Sequence, residues 1–347
     1  MSVDTRIFGT TPSGEKVTEY TIKNGKITAK VIDFGAILTQ LIVPDKNGKE
    51  ADVVLGYDNL EAYLDNGYFF GSTIGPSANR VAKATGKIDG VVFHLPVNEN
   101  ANNLHTDINS GLHKKMWKAE AEGNSVKFSI ELPDGEYGLP GNRKVEVTYT
   151  INDENGLVLS YHMTSDKKTI MNLTNHSYFN LGGHDSGLMT NQELQMNCSA
   201  FTVVDNESIP TGEVRLVEGT VFDFRNRKAI GKDINAEDEQ LGFTGGYDHN
   251  FVIDGYENGR AKRLAVTAAD PVSGRVMEVY TDLPGVQFYA GNFIQKHEGK
   301  GGAQYDKRHA FCLETQFWPD AINHDNFEKP IFGGDNEMTS ETEYRFK

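Results

Sequence analysis

The sequence predicts an all-β fold, a large antiparallel β-sandwich with few short helices, and three observations carry that prediction. Apolar and polar residues alternate with period two through run after run. Turn dipeptides such as Asn155-Gly156 and Asp89-Gly90 fall between those runs. Helical periodicity is scarce, and nothing resembles the regular exchange of strands and long helices that a parallel sheet requires.

Taken along the chain, the clearest helix is a short one around Leu60-Glu61-Ala62-Tyr63-Leu64. Asp89-Gly90 then joins Gly86-Lys87-Ile88 to Val91-Val92-Phe93-His94-Leu95 as a hairpin. Val126, Phe128, Ile130 and Leu132 mark a half-buried strand, and Val145, Val147, Tyr149 and Ile151 mark another. Leu157, Leu159, Tyr161 and Met163 follow after Asn152-Asp153-Glu154-Asn155-Gly156, whose Asn-Gly step supplies positive φ, so the last two strands read as an antiparallel hairpin. Further strands are expected from Leu264 to Ala268, Val276 to Thr281, Val286 to Tyr289 and Phe311 to Thr315. Turn signals at Pro140-Gly141 and Gly245-Gly246 are placed between strands. With no low-complexity stretch, repeat or Pro/Ser-rich linker, residues 1–347 read as one continuous domain, long enough for a sizeable core.

Charge narrows the partners. Thirty-four basic against 49 acidic side chains leave a net charge of −15, which repels polyphosphate and acidic membrane surfaces and suits a neutral small ligand. Cys198 and Cys312 are too few for a disulfide scaffold and lack the paired spacing of a zinc site. The stretch Met1-Ser2-Val3-Asp4-Thr5-Arg6-Ile7-Phe8-Gly9 has no basic start followed by an apolar run, and no later stretch reaches membrane-spanning length. A cytoplasmic location is expected, without nucleic acid or membrane as partner.

The chemistry concentrates in a few polar segments. Thr174-Asn175-His176-Ser177-Tyr178-Phe179-Asn180-Leu181-Gly182-Gly183 sets an imidazole among amides, a hydroxyl and a phenol. Two readings are open for His176: a proton-transfer group working near neutral pH, or a hydrogen-bonded residue of a polar loop. Glu314 sits between Phe311-Cys312-Leu313 and Gln316-Phe317-Trp318-Pro319. On a strand it shares a face with Cys312, where packing would desolvate the carboxylate and strengthen it as a base; the alternative is a strand-end ion pair. Asp248 opens a strand after Gly245-Gly246-Tyr247 and either accepts hydrogen bonds from vicinal hydroxyls or caps a turn. Asn79-Arg80 follows the rigid turn Gly75-Pro76-Ser77-Ala78 and presents an amide beside a planar donor fork, for a ligand or for an ion pair. His105 has the same two readings as His176, with an exposed loop residue as the plainer one. Gln287, among Val286, Phe288 and Tyr289, suits a sugar's polar edge and apolar face, or else faces solvent.

Other chemistries lack their motifs. None of the ten histidines lies in a His-Glu-x-x-His arrangement; His105 with Asp107 is the closest approach to metal-ligand spacing, and no metal site is expected. Gly299 to Gly302 does not open an amphipathic helix after a strand, so it reads as a loop and not a phosphate cradle. A Gly-x-Ser-x-Gly nucleophile elbow is missing, which leaves acid-base chemistry as the main enzymatic option.

In register along the chain, Asn79-Arg80, Leu104-His105, Thr174 to Leu181, Gly246-Tyr247-Asp248-His249, Gly285-Val286-Gln287-Phe288-Tyr289 and Cys312-Leu313-Glu314-Thr315-Gln316 resemble the aldose 1-epimerases, or galactose mutarotases. Trp117, Asp223-Phe224-Arg225 and Trp318-Pro319-Asp320 fit as well, so the likeness spans nearly the whole chain. The resemblance implies the galactose mutarotase-like supersandwich and interconversion of the α and β anomers of free hexoses without metal or organic cofactor. It implies Glu314 as the base at the anomeric hydroxyl and His176 as the acid at the ring oxygen. Asn79, Arg80, His105, Asp248 and Gln287 match sugar-binding positions, and Tyr178 is added to them. The partner implied is a free monosaccharide, and the assembly expected is a monomer or homodimer. One departure stands out: the family commonly has two glycines after its first histidine, whereas Thr106-Asp107 follow His105, an arrangement expected to narrow the pocket. Two other readings are carried alongside, a non-catalytic carbohydrate-binding sandwich and a glycoside hydrolase pairing Glu314 with Asp248.

Overall fold

The alternating runs fold as the strands Ser125–Leu132, Arg143–Ile151 and Gly156–Ser165, each antiparallel to the next. Asn155 takes φ 57° at the second hairpin, as an Asn-Gly turn demands. A computed structural model describes residues 3–257 and 261–347; Met1 and Ser2, from the N-terminal stretch read above, lie outside them. Among the described residues no helix is long and apolar enough to cross a membrane.

Those three strands belong to a nine-stranded antiparallel sheet that continues through Met338–Phe346, Val276–Thr281 and Arg263–Ala269. A five-stranded sheet runs in the order Pro210–Leu216, Cys198–Val204, Asp248–Ile253, Gly285–Tyr289, Cys312–Gln316. A second five-stranded sheet is built from residues 4–52. One apolar core joins all three: Phe128, Val147 and Tyr149 of the large sheet cluster with Ala29 and Val31 of the N-terminal sheet and with Phe251, Phe288 and Leu313 of the other. Two polar clasps sit between the layers, Tyr344 Oη donating to the Leu313 carbonyl at 2.9 Å and a contact between the Thr315 and Thr342 hydroxyls. The all-β sandwich is therefore the architecture, and a 2-residue turn with Asp89 at φ 48° and Gly90 at φ 85° closes the early hairpin.

Differences from expectation are local. The short helix forms as Leu60–Asp65, with the Asn59 side chain accepting from the Ala62 N–H. A second helix, Glu239–Thr244, forms where the sequence shows no helical period. Asp238 caps its start and Gly245, at φ 66°, ends it, so Gly245 is a helix terminator and not only a turn between strands. Six residues make under two turns, too few to show a 3.6-residue period. The strand expected from Phe311 runs Cys312–Gln316, and Phe311 instead bridges to Phe179.

Candidate active site

Period two divides the five-stranded sheet into two chemically different faces. Val286, Phe288, Leu313 and Phe251 enter the core, so their neighbours Gln287, Tyr289, Glu314 and Asp248 project from the other side into a cavity of about 450 Å³. Register aligns them in two cross-strand rows, Asn250 beside Gln287 beside Glu314, and Asp248 beside Tyr289 beside Cys312. Asn79, Arg80, His105, His176 and Tyr178 line it as well, so all eight residues proposed from sequence share one cavity.

His176 reaches it from the end of the two-residue strand Thr174–Asn175, which pairs with Thr73–Ile74. Asn175 and Ser177 serve the loop: Asn175 Nδ2 donates to the Gly71 carbonyl, and its Oδ1 accepts from Ser177. Asn180 is likewise consumed, accepting from Gly182 N–H, Ser186 and Gln192. With its neighbours satisfied in this way, the imidazole points to the cavity, stacked on Tyr178 at 5.0 Å between ring centres. His176 Nε2 lies 3.7 Å from Glu314 Oε1, and its Nδ1 lies 3.6 Å from Cys312 Sγ. Burial pushes the His176 pKa down to about 3 and holds that of Glu314 well above the usual carboxylate range. For Glu314 the charge of Asp248 adds to the rise and Arg80 opposes it. Glu314 Oε2 is buried with no hydrogen-bond partner, an orphan acceptor facing the cavity.

A polar network stiffens the floor. Gln287 Nε2 donates to Asp248 Oδ1 at 2.7 Å, Gln316 Nε2 donates to Gln287 Oε1 at 3.2 Å, and Asn79 Nδ2 donates to Gln316 Oε1 at 3.3 Å. Arg80 grips Glu99 with two hydrogen bonds of 2.6 and 2.8 Å and places Nη1 4.0 Å from Asp248. The Asn79 backbone N–H donates to His105 Nδ1 at 3.1 Å. That donor fixes the tautomer of His105, because a nitrogen that accepts carries no proton in the neutral ring and Nε2 must hold it. Burial keeps the ring neutral.

His105 and Asp107, the nearest the sequence comes to metal-ligand spacing, do not come together at the cavity. Asp107 turns away to accept from the Asn109 and Ser110 N–H groups of its own loop. His105 instead joins His176 and Glu314, whose candidate ligand atoms all lie within 4.8 Å. Neutral imidazole binds metal through an unprotonated nitrogen, and the only one His105 has is occupied by the Asn79 N–H; the trio is poorly matched to a cation. Nor is His105 an exposed loop residue: it is 5 % exposed. Thr106 and Asp107 do not narrow the cavity, because Thr106 Oγ1 turns to Ser77, accepting from its N–H at 2.8 Å and donating to its carbonyl at 3.0 Å. Both His105 and Thr106 hold positive φ, 54° and 70°. Glycine suits such a backbone, and the two hydrogen bonds to Ser77 offset the strain of a β-branched residue there.

Over 99 % of this chain and 98 % of the relative, the sequence is 41 % identical to galactose mutarotase from Homo sapiens. Aldose 1-epimerase from Escherichia coli K12 is 33 % identical over 96 % of each chain. A crystal structure of an aldose epimerase homologue from C. elegans superposes with a TM-score of 0.86 at 32 % identity, covering 95 % of this chain and 98 % of that one. The family model for aldose 1-epimerase matches residues 18–345. The chain belongs to the aldose 1-epimerase family. It is accordingly an isomerase with the galactose mutarotase-like fold.

Several cavity residues of this family member escaped the sequence reading. Phe69, at φ 60°, packs against three imidazoles, with ring centres 5.1 Å from His105, 4.9 Å from His113 and 5.7 Å from His176. Glu99, and Asn206, Glu207 and Ser208 from the turn before Pro210–Leu216, form the rim. No motif marks them; only the closeness of Glu99 to Asn102-Asn103-Leu104-His105 was a signal.

Proposed function

We propose that this protein interconverts the α and β anomers of free hexoses of the galactose and glucose type, with Glu314 as general base and His176 as general acid. The observation that carries the reading is the 3.7 Å approach of His176 Nε2 to Glu314 Oε1 in a cavity of about 450 Å³. The anomeric and ring oxygens share one carbon, C1, so the groups that serve them must be near neighbours. Asn79, Arg80, His105, Tyr178, Asp248 and Gln287 are proposed to hold the remaining hydroxyls and the ring face.

Burial favours the uncharged forms of both partners, so before a sugar binds Glu314 holds its proton and His176 is neutral. A sugar supplies hydroxyl donors to the orphan Glu314 oxygen and a ring-oxygen acceptor to His176, which draws the pair into its charged form. Glu314 then takes the proton of O1–H, the C1–O1 bond becomes a carbonyl, the C1–O5 bond breaks, and His176 Nε2–H protonates O5. Discharge returns both side chains to the neutral forms that burial prefers. Rotation about C1–C2 presents the other carbonyl face, and the same two protons move back to close the opposite anomer.

A glycoside hydrolase needs a second carboxylate free to act across the scissile bond. Asp248 is committed to Gln287 and faces Arg80, which disfavours that reading. A purely sugar-binding sandwich would not require an acid and a base kept together against desolvation. The whole chain, 1–347, is proposed to act as one cytoplasmic domain, as a monomer or homodimer; two free, buried cysteines fit a reducing compartment.

Polarimetry on freshly dissolved α-galactose and α-glucose tests the activity; a rate equal to the buffer blank with both sugars would sink it. Glu314→Gln and His176→Asn are each expected to lower kcat by about 10²–10⁴-fold while the protein stays folded. Near-full activity in either variant would refute that residue's role.

A further inference from the structure

We propose that Cys312 is the positioning residue of His176: its sulfur accepts the Nδ1 proton of the imidazole and leaves Nε2 as the one nitrogen that exchanges a proton with the sugar. The inference rests on the acid role proposed above. Its geometric basis is the 3.6 Å separation of Cys312 Sγ and His176 Nδ1, with His176 Nε2 on the other side of the ring 3.7 Å from Glu314. A proton that passes between Nε2 and O5 leaves the second ring proton on Nδ1 in every step, so an acceptor must stand there throughout. Sulfur is the side-chain atom in place, beside the ring's hydrogen bond to its own backbone. Cys312 is otherwise set in an apolar cluster with Leu55, Phe70 and Ala310, and it is fully buried.

The strand ties the two halves of the chemistry together. Cys312 and Glu314 are two residues apart on one face of Cys312–Gln316, so the base and the group that orients the acid keep a fixed spacing. A thiol has a specific advantage over the carboxylate that orients histidine in hydrolase triads. A carboxylate stabilises imidazolium and weakens it as an acid, whereas a neutral sulfur orients the ring without adding charge. Burial holds the thiol pKa well above its ordinary value, so Cys312 stays uncharged.

The test reads the tautomer directly, in sugar-free protein, by long-range 1H–15N correlation of the imidazoles, with His176→Asn identifying the signals. The wild type is expected to carry the His176 proton on Nδ1. Cys312→Ala is expected to shift the ring toward the other tautomer and to lower kcat by about tenfold with KM within about twofold; Cys312→Ser, which restores an acceptor, should recover most of both. A wild-type proton on Nε2, or an alanine variant that keeps the wild-type tautomer and kcat, overturns the proposal. Because the tautomer is read without turnover, it decides the matter even if the polarimetric test of mutarotation fails. If the alanine variant does not fold, the wild-type tautomer and the serine variant's kcat decide.

Discussion

At the scale of single residues, Glu314 is where the proposed function and stability oppose each other. Its pKa in the folded chain is raised, chiefly by burial, so the folded state binds the proton more tightly than the unfolded state does. That contribution to stability is fully present below the unfolded value and is lost as pH rises through the folded one. Glu314→Gln should therefore stabilise the protein at pH 7 by about 0.5–2 kcal/mol, with no gain below about pH 4. Urea unfolding at the two pH values checks this, and an equal or lower midpoint at pH 7 would contradict it. Glu314 and His176 were legible in the sequence as candidates because rare residue types in a motif carry chemistry. Phe69 and Glu99 were not, since an aromatic and an acid belong to any surface until a fold aims them. Thr106 shows the converse: the sequence revealed the departure from glycine, but not that its hydroxyl would turn to the Ser77 backbone.

At the scale of elements, alternation did most of the organising. Each strand of the site sheet spends one face on the core and the other on the cavity, so adjacent residues have separable effects. Phe288→Ala should cost about 3–5 kcal/mol of stability by leaving a cavity beside Tyr247 and Phe224. Its neighbour Gln287→Ala should cost about 1 kcal/mol and act mainly by raising KM, through the loss of the hydrogen bond to Asp248. Denaturation and initial-rate kinetics on the two variants separate the outcomes; the reverse ordering of stability losses would contradict the assignment of faces. Strands were visible because period two repeats within five residues. The helix Glu239–Thr244 was not, because its caps, Asp238 and Gly245, resemble ordinary turn residues in sequence.

At the scale of the whole molecule, charge governs which sugars approach. A net charge of −15 is reinforced at the cavity, where Arg80 is neutralised by Glu99 and Glu207 stands on the rim. Galactose 6-phosphate should thus show a kcat/KM about tenfold or more below that of galactose, and raising the salt should narrow the gap by screening. A salt-independent ratio would refute an electrostatic origin. The sequence by itself determined the fold class, the antiparallel hairpins, the acidic character and the residue types of the site, because periodicity, turn chemistry and composition are local or additive properties. Only the tertiary structure decided that His176, Glu314 and Cys312 meet, that Arg80 is shared between Glu99 and Asp248, and that Thr106 leaves the cavity open. The physical reason is range: those contacts join residues from 19 to 168 positions apart, and their distances follow from sheet register and core packing, which no local pattern encodes.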